Sequence, residues 1–207
     1  MDSLTNVMVS LVIGSLLCFL TMGSPSTASP LNVTASPLNV TLIQKACNNT
    51  ADHEFCLDHL SKNPLVVSAS QEPLAIAAAI AQSGLDNAER TRKYAMNKVA
   101  RIPAVKTAYA DCATLLGSTA LQLSVAASIL KNPASLTEVG SSEVASECLL
   151  TSIDGVAGCM AKLGTLKVED QYVMVSCKQV EVYSVAADSI LTDLMKVNMN
   201  NSFDHMD

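Results

Sequence analysis

A chain of 207 residues, 49% hydrophobic and 15% charged, carries enough apolar material for one globular core plus processing segments. Its net charge of −6 argues against a nucleic-acid binder, which needs a concentrated basic face to meet phosphates. Trp is absent and aromatics total 3%, so Leu, Val, Ile, Ala and Met must fill the core, a composition that favours closely approaching helices.

The chain opens on an uncharged apolar run, Val7 to Met22. It is shorter than the roughly 20 residues of a spanning helix, and Gly, Ser and Pro follow it. Residues 1–28 therefore read as a secretory signal peptide, with Ser26-Thr27-Ala28 as the small-x-small cleavage pattern and Gly23 as a second option. An uncleaved anchor is the competing reading, because the leader has Asp2 and no Lys or Arg. Removal of the leader leaves a secreted, extracellular chain with no stable membrane association. Residues 29–41 read as an extended linker, because the heptad ASPLNVT occurs at Ala28–Thr34 and again at Ala35–Thr41 and carries Pro30 and Pro37. N-x-S/T sequons at Asn32, Asn39, Asn48 and Asn200 are candidate glycan sites in a secreted chain.

Residues 42–200 read as one all-α domain. Leu42–Cys47 and Glu54–Leu60 form two short helices around a polar turn, a helical hairpin over 42–66. Four long helices then fill 72–196. The first runs from Glu72 to Val99 and carries Leu74, Ile76, Ile80, Leu85, Ala88, Ala95 and Val99. Pro103 starts the second, where proline is tolerated in the first turn. Its stripe of Val105, Ala108, Cys112, Leu115, Thr119, Leu123, Ala126 and Leu130 advances in steps of three and four. Asn132-Pro133 ends it. Ser141 or Ser142 caps the third helix, which carries Ala145, Cys148, Leu149, Ile153, Val156, Cys159 and Leu163. Gly155 and Gly158 weaken this helix by roughly 1 kcal/mol each, and Gly164 closes it. The last helix carries Val173, Cys177, Val180, Ser184, Ala187, Leu191 and Leu194, and residues 201–207 form a polar tail. Short loops between long helices imply antiparallel neighbours, hence an up-and-down four-helix bundle.

With Cys18 in the leader, six cysteines remain: Cys47, Cys56, Cys112, Cys148, Cys159 and Cys177. An even number in a secreted chain argues for disulfides. Cys47 and Cys56 can close the hairpin, and Cys112 and Cys159 lie on core-facing stripes of different helices. Cys148 and Cys177 lie 16 residues before and 13 after Gly164. That is an axial mismatch of roughly 5 Å, within reach after helix tilt. Two buried thiols are the alternative for this last pair.

Little catalytic chemistry is on offer. His53, Cys56 and His59 sit at i, i+3 and i+6 with Glu54 and Asp58 between, but residues six apart on a helix share no face, so no metal site is expected. No nucleophile elbow, phosphate loop or zinc-protease motif occurs, and Gly155-x-x-Gly158 has no preceding strand. No cofactor is expected and the chain does not read as an enzyme. The basic run Arg90, Arg92, Lys93, Lys98 and Arg101 reads as a solvated helix face, with a protein-docking surface as the alternative.

Residues 42–194 resemble the plant invertase and pectin methylesterase inhibitor family. The segment LIQKACNNTADHEFCLDHL, Leu42 to Leu60, is similar to the family's N-terminal cysteine hairpin, followed by Asn63-Pro64 where the family often has Asp-Pro. Ala110-Asp111-Cys112 with Leu115 and Leu116 resembles its "DC-x-x-L" helix, and Cys159 stands at its fourth cysteine. The chain departs from the family at Ala157-Gly158-Cys159-Met160-Ala161, where an acidic residue and Gly-Phe usually follow the cysteine, and in the extra Cys148 and Cys177. The resemblance implies a four-helix bundle with a hairpin extension and disulfides Cys47–Cys56 and Cys112–Cys159. It also implies a non-catalytic protein that docks on and blocks a pectin methylesterase or an acid invertase in the cell wall. A secreted helical protein without inhibitory activity is the further alternative.

Some invertase-blocking members carry Pro-Lys-Phe, and none of the seven prolines here is followed by Lys, which favours pectin methylesterase. The acidic net charge favours a basic partner, as many plant pectin methylesterases are. Glu138, Glu143 and Glu147, near the Pro133–Ser142 loop, are the carboxylates proposed to meet it, with plain solubilising surface as the alternative for each.

Overall fold

The computed structural model describes residues 37–134 and 140–203, and every regular element among them is helical. In chain order these are α1 (Pro37–Cys47), α2 (His53–Ser61), α3 (Pro64–Ser68), α4 (Pro73–Arg101), a 3₁₀ turn (Pro103–Val105), α5 (Lys106–Lys131), α6 (Ser141–Thr165) and α7 (Gln171–Phe203). Helix α4 packs on α5, α5 on α6, α6 on α7, and α7 back on α4, so the long helices close a ring of neighbours around one core. The apolar stripes supply that core: Ile76 and Ile80, Leu116, Leu123 and Leu130, Leu149 and Val156, Val173 and Leu191 are fully buried. Helices α5 and α6 are long and apolar enough to cross a bilayer by length and composition alone; 56% of that window of α5 and 33% of that of α6 is buried inside the bundle.

Proline sets several helix starts. Pro64 and Pro73 occupy the first turns of α3 and α4, where a missing N–H costs nothing, and Pro103 opens the 3₁₀ turn into α5. Asn63 caps α3 by accepting from the Leu65 N–H at 3.0 Å, and Asp52 caps α2 by accepting from the Phe55 N–H at 3.1 Å. The first helix starts at Pro37, earlier than the sequence reading placed it, so part of the second ASPLNVT copy is helical and not extended linker. A proline at a helix start and one inside an extended linker look alike in sequence. Of the sequons, Asn39 falls in α1 and Asn200 in α7, Asn48 is exposed just after α1, and Asn32 lies outside the described residues.

The hairpin of α1 and α2 lies against α7. Cys47 is bonded to Cys56. Asn49 donates to Ser189 Oγ at 2.6 Å, Lys45 pairs with Asp193 at 2.8 Å, and Lys178 pairs with Asp52 while lying over the Phe55 ring.

Between α5 and α6 the approach is closer. Cys112 is bonded to Cys159 with Cα atoms 4.2 Å apart. A Cβ on Gly155 would lie 2.2 Å from Thr119 Oγ1, and one on Gly158 would lie 3.2 Å from Leu115 Cδ1. The two glycines that cost α6 helix propensity are therefore what lets α5 come this near. The entry to α6 also differs from the reading of Ser141 or Ser142 as cap: Gly140, at φ +88, precedes the helix and no side chain caps it. Such a left-handed residue is cheap only for glycine.

Cys148 and Cys177 do not form the third disulfide: both are buried and remain thiols. The reason is the position of the turn. Helix α6 continues through Gly164 to Thr165, and the left-handed residue that ends it is Lys167, at φ 52. The Val168 N–H bonds to Leu163 O at 2.9 Å and the Lys167 N–H to Gly164 O at 2.9 Å, a Schellman close. Centring the turn there brings Cys177 level with Cys159, whose sulfur its thiol meets at 3.7 Å. Cys148 is three helical turns further along α6, about 16 Å away.

Removing Cys112 thus leaves Cys159 facing another thiol. Oxidatively folded Cys112→Ser is expected to yield a Cys159–Cys177 crosslink in non-reduced peptide maps and to keep most of its stability. Cys112→Ser with Cys177→Ala should lose about 4 kcal/mol, the chain-entropy value for a loop of this length. Equal denaturation midpoints for the two variants would show that Cys177 cannot take over.

Candidate functional site

Two of the three glutamates singled out from sequence lie together on α6. Glu143 and Glu147 are exposed, one turn apart, and the row continues through Leu150 to Asp154 in steps of four, three and four. The third, Glu138, lies outside the described residues. Leu150 is 49% exposed, a large apolar side chain set within the acidic row. Met195 of α7 forms the opposite wall of an open groove of about 570 Å³ lined by these residues with Ile153. Beneath it Ser146 donates to Asp188 Oδ1 at 2.5 Å, tying α6 to α7.

Glu143 stands in the first turn of α6, where the helix dipole favours a carboxylate. Glu147 and Asp154 lie too far along the helix for that account. Among the described residues none of the three forms an ion pair, and like charges at i, i+4 cost about 0.2–0.5 kcal/mol. An unneutralised acidic row around an exposed leucine suits docking onto a cationic protein surface with an apolar contact at its centre. Asp154 escaped the sequence reading. Its only signal was the spacing of seven from Glu147 on a helix already identified.

A cluster of perturbed titratable groups sits at the opposite end of the bundle. Asp170, in the turn before α7, accepts from Tyr109 Oη at 2.6 Å and Tyr94 Oη at 3.0 Å on Oδ2, and from the Val173 N–H at 3.3 Å on Oδ1. Burial pushes its carboxyl up, but the hydrogen bonds from Tyr109, Val173 and Tyr94, with Lys98 nearby, more than offset this and hold it below its ordinary 3.8. Burial, then the Asp170 carboxylate, raise the Tyr109 hydroxyl far above its usual 10.0. Clusters of this kind mark catalytic sites elsewhere. Here both carboxylate oxygens are occupied and Asp170 and Tyr109 are buried, so the cluster joins α4, α5 and the α6–α7 turn and offers no group to a substrate.

Of the remaining candidates, Cys56 and His59 are engaged structurally. Cys56 is in its disulfide. The ring of His59 stacks on Phe55 at 3.9 Å between centroids and donates from Nδ1 to Phe55 O at 2.8 Å. Among the described residues no three His, Cys, Asp or Glu side chains converge as a metal site. The cations Arg90, Arg92, Lys93 and Arg101 are exposed on α4, and Lys98 lies over the Tyr94 ring at 4.9 Å.

The family model described as plant invertase/pectin methylesterase inhibitor matches residues 41–199. Among solved structures, a mutant form of a pectin methylesterase inhibitor from Arabidopsis superposes with a TM-score of 0.61 at 22% identity, covering 72% of this chain and 95% of that one. A pectin methylesterase inhibitor from Arabidopsis thaliana gives 0.53 at 21% identity, covering 73% and 95%. At such identities these likenesses establish the fold alone. No curated protein sequence is significantly similar to the chain.

The Asp170 cluster makes a signed prediction. A depressed carboxyl stabilises the fold above its ordinary pKa and loses that contribution as pH falls through the folded value; a raised hydroxyl or thiol does the reverse on the alkaline side. Burial pushes the Cys177 thiol from 9.0 up to about 12. Unfolding free energy should therefore be flat near neutrality, fall below about pH 4 and fall again above about pH 9. Asp170→Asn should cost about 2 kcal/mol at neutral pH and flatten the acid limb, checked by denaturant titration across pH. An acid limb unchanged in the variant would place its cause elsewhere.

Proposed function

The chain belongs to the plant invertase/pectin methylesterase inhibitor family, and from that membership we propose that it is a secreted, extracellular protein that docks on a pectin methylesterase and blocks it without catalysing a reaction. The match over residues 41–199 carries this reading. The acidic row of Glu143, Glu147 and Asp154 around Leu150 supports the choice of target, since it complements a basic enzyme. The bundle supplies rigidity: side chains on two packed helices lose little further freedom on binding, which lowers the entropy cost of association. An acid invertase is the second reading, favoured by the family description, which covers inhibitors of both enzymes.

The test is titration of the purified secreted protein against one pectin methylesterase and one acid invertase, at mildly acidic and neutral pH. The expected result is stoichiometric inhibition of the esterase, weakening as salt rises. Glu143→Gln with Glu147→Gln and Asp154→Asn should raise the inhibition constant about tenfold, since exposed charges contribute up to about 1 kcal/mol each. Inhibition of the invertase alone would reverse the order, and inhibition of neither would leave a non-inhibitory helical protein.

A further inference from the structure

The acidic chain holds one concentrated patch of the opposite sign. Its only three arginines, Arg90, Arg92 and Arg101, all fall in the second half of α4, joined there by Lys93 and Lys98, with Glu89 as the one carboxylate of that stretch. Arg90, Lys93, Asn97 and Arg101 recur at steps of three and four and are all exposed, forming a straight row about 16 Å long. Elsewhere Lys45, Lys62, Lys162, Lys178 and Lys196 are paired with aspartates. Among the described residues, Arg90, Arg92, Lys93 and Arg101 form no ion pair.

Helix stability explains part of this row. Lys98 and Arg101 stand in the last turn of α4, where cations complement the helix dipole. Arg90, Arg92 and Lys93 are two to three turns upstream, beyond the reach of that effect. Arginine binds carboxylate or phosphate in a planar, two-pronged geometry that lysine cannot reproduce, so its concentration on one helix favours partners that carry such oxyanions. Arg92 lies roughly 140° round the helix from the centre of the row, on the flank of α4 that meets α5, where it reaches across Gly117 over an open groove of about 420 Å³ lined by Met96, Ala110, Ala113 and Thr114.

We propose that this face of α4 binds a polyuronate, the carboxylate-bearing polysaccharide left when pectin methyl esters are hydrolysed. A linear polymer with a carboxylate on successive sugars fits a straight row of cations. The methyl-esterified polymer has no charge to offer it. The choice of polymer rests on the proposed function, which places the chain beside pectin; the charge argument does not. The acidic groove lies on α6, so the two faces bind independently.

The experiment measures binding of the purified secreted protein, without enzyme, to de-esterified and to fully methyl-esterified polygalacturonate across salt concentrations. The expected result is binding to the de-esterified polymer at about 50 mM salt, weakening steeply as counterions compete, and none to the esterified one. Arg90→Gln with Lys93→Gln and Arg101→Gln should weaken binding about tenfold or more with unchanged helicity and a shallower salt dependence. Lys62→Gln with Lys131→Gln and Lys196→Gln removes the same charge elsewhere and should leave binding within about twofold. No binding, equal binding to both polymers, or equal loss in the two variants would overturn the proposal. So would a loss of esterase inhibition in the α4 variant with polymer binding intact, which would make this a protein-docking face. Polymer binding by a chain that inhibits neither enzyme would keep this inference and remove the inhibitor reading.

Discussion

The closeness of α5 and α6 is the constraint on which the bundle is built. Two glycines on α6, Gly155 and Gly158, face Thr119 and Leu115 of α5 with no room for an added carbon at the first position. The Cys112–Cys159 disulfide locks the same seam with Cα atoms 4.2 Å apart. The glycines cost α6 about 1 kcal/mol each in helix propensity, while the crosslink stabilises by about 4 kcal/mol in the chain-entropy account. With this pair fixed, α4 and α7 close the ring on either side, and Glu143, Glu147 and Asp154 take a defined line along the outside of α6.

The polar contacts distribute the remaining tasks. Asp170 ties α4, α5 and the turn into α7 at one end through Tyr94, Tyr109 and the Val173 N–H. Asp52 and Lys178 fasten the hairpin to α7. Among the described residues the acidic row on α6 and the basic row on α4 form no ion pairs, and each is carried on a long helix held by the core.

Much of this was legible in sequence because it depends on local periodicity. The apolar steps of three and four located the long helices found among the described residues, and the buried positions Ile80, Leu123, Val156 and Val180 fall on the stripes so identified. The features that escaped depend on register or on distant chain segments. Gly164 resembled a helix stop, but Lys167 takes the left-handed position, and that shift sets which cysteine meets Cys159. Pro37 resembled linker because its repeat partner, Pro30, shares the same surroundings in sequence. Tyr94, Tyr109 and Asp170 are separated by up to 76 residues, and no local pattern joins them. The glycines of α6 were read only as a cost, since their benefit lies in what stands on the neighbouring helix.

Gly155 offers the most direct test of the seam, because two physical effects predict opposite signs. By helix propensity alone, Gly155→Ala should stabilise the protein by about 1 kcal/mol. By the packing account it should destabilise by about 1–3 kcal/mol, because the new methyl meets Thr119 Oγ1 at 2.2 Å. Thr119→Ala in the same chain should recover most of that loss, since its hydroxyl is the clashing atom. A lowered Tm for the single variant with recovery in the double variant is the predicted result. A Gly155→Ala protein that melts at or above the parent temperature would contradict it.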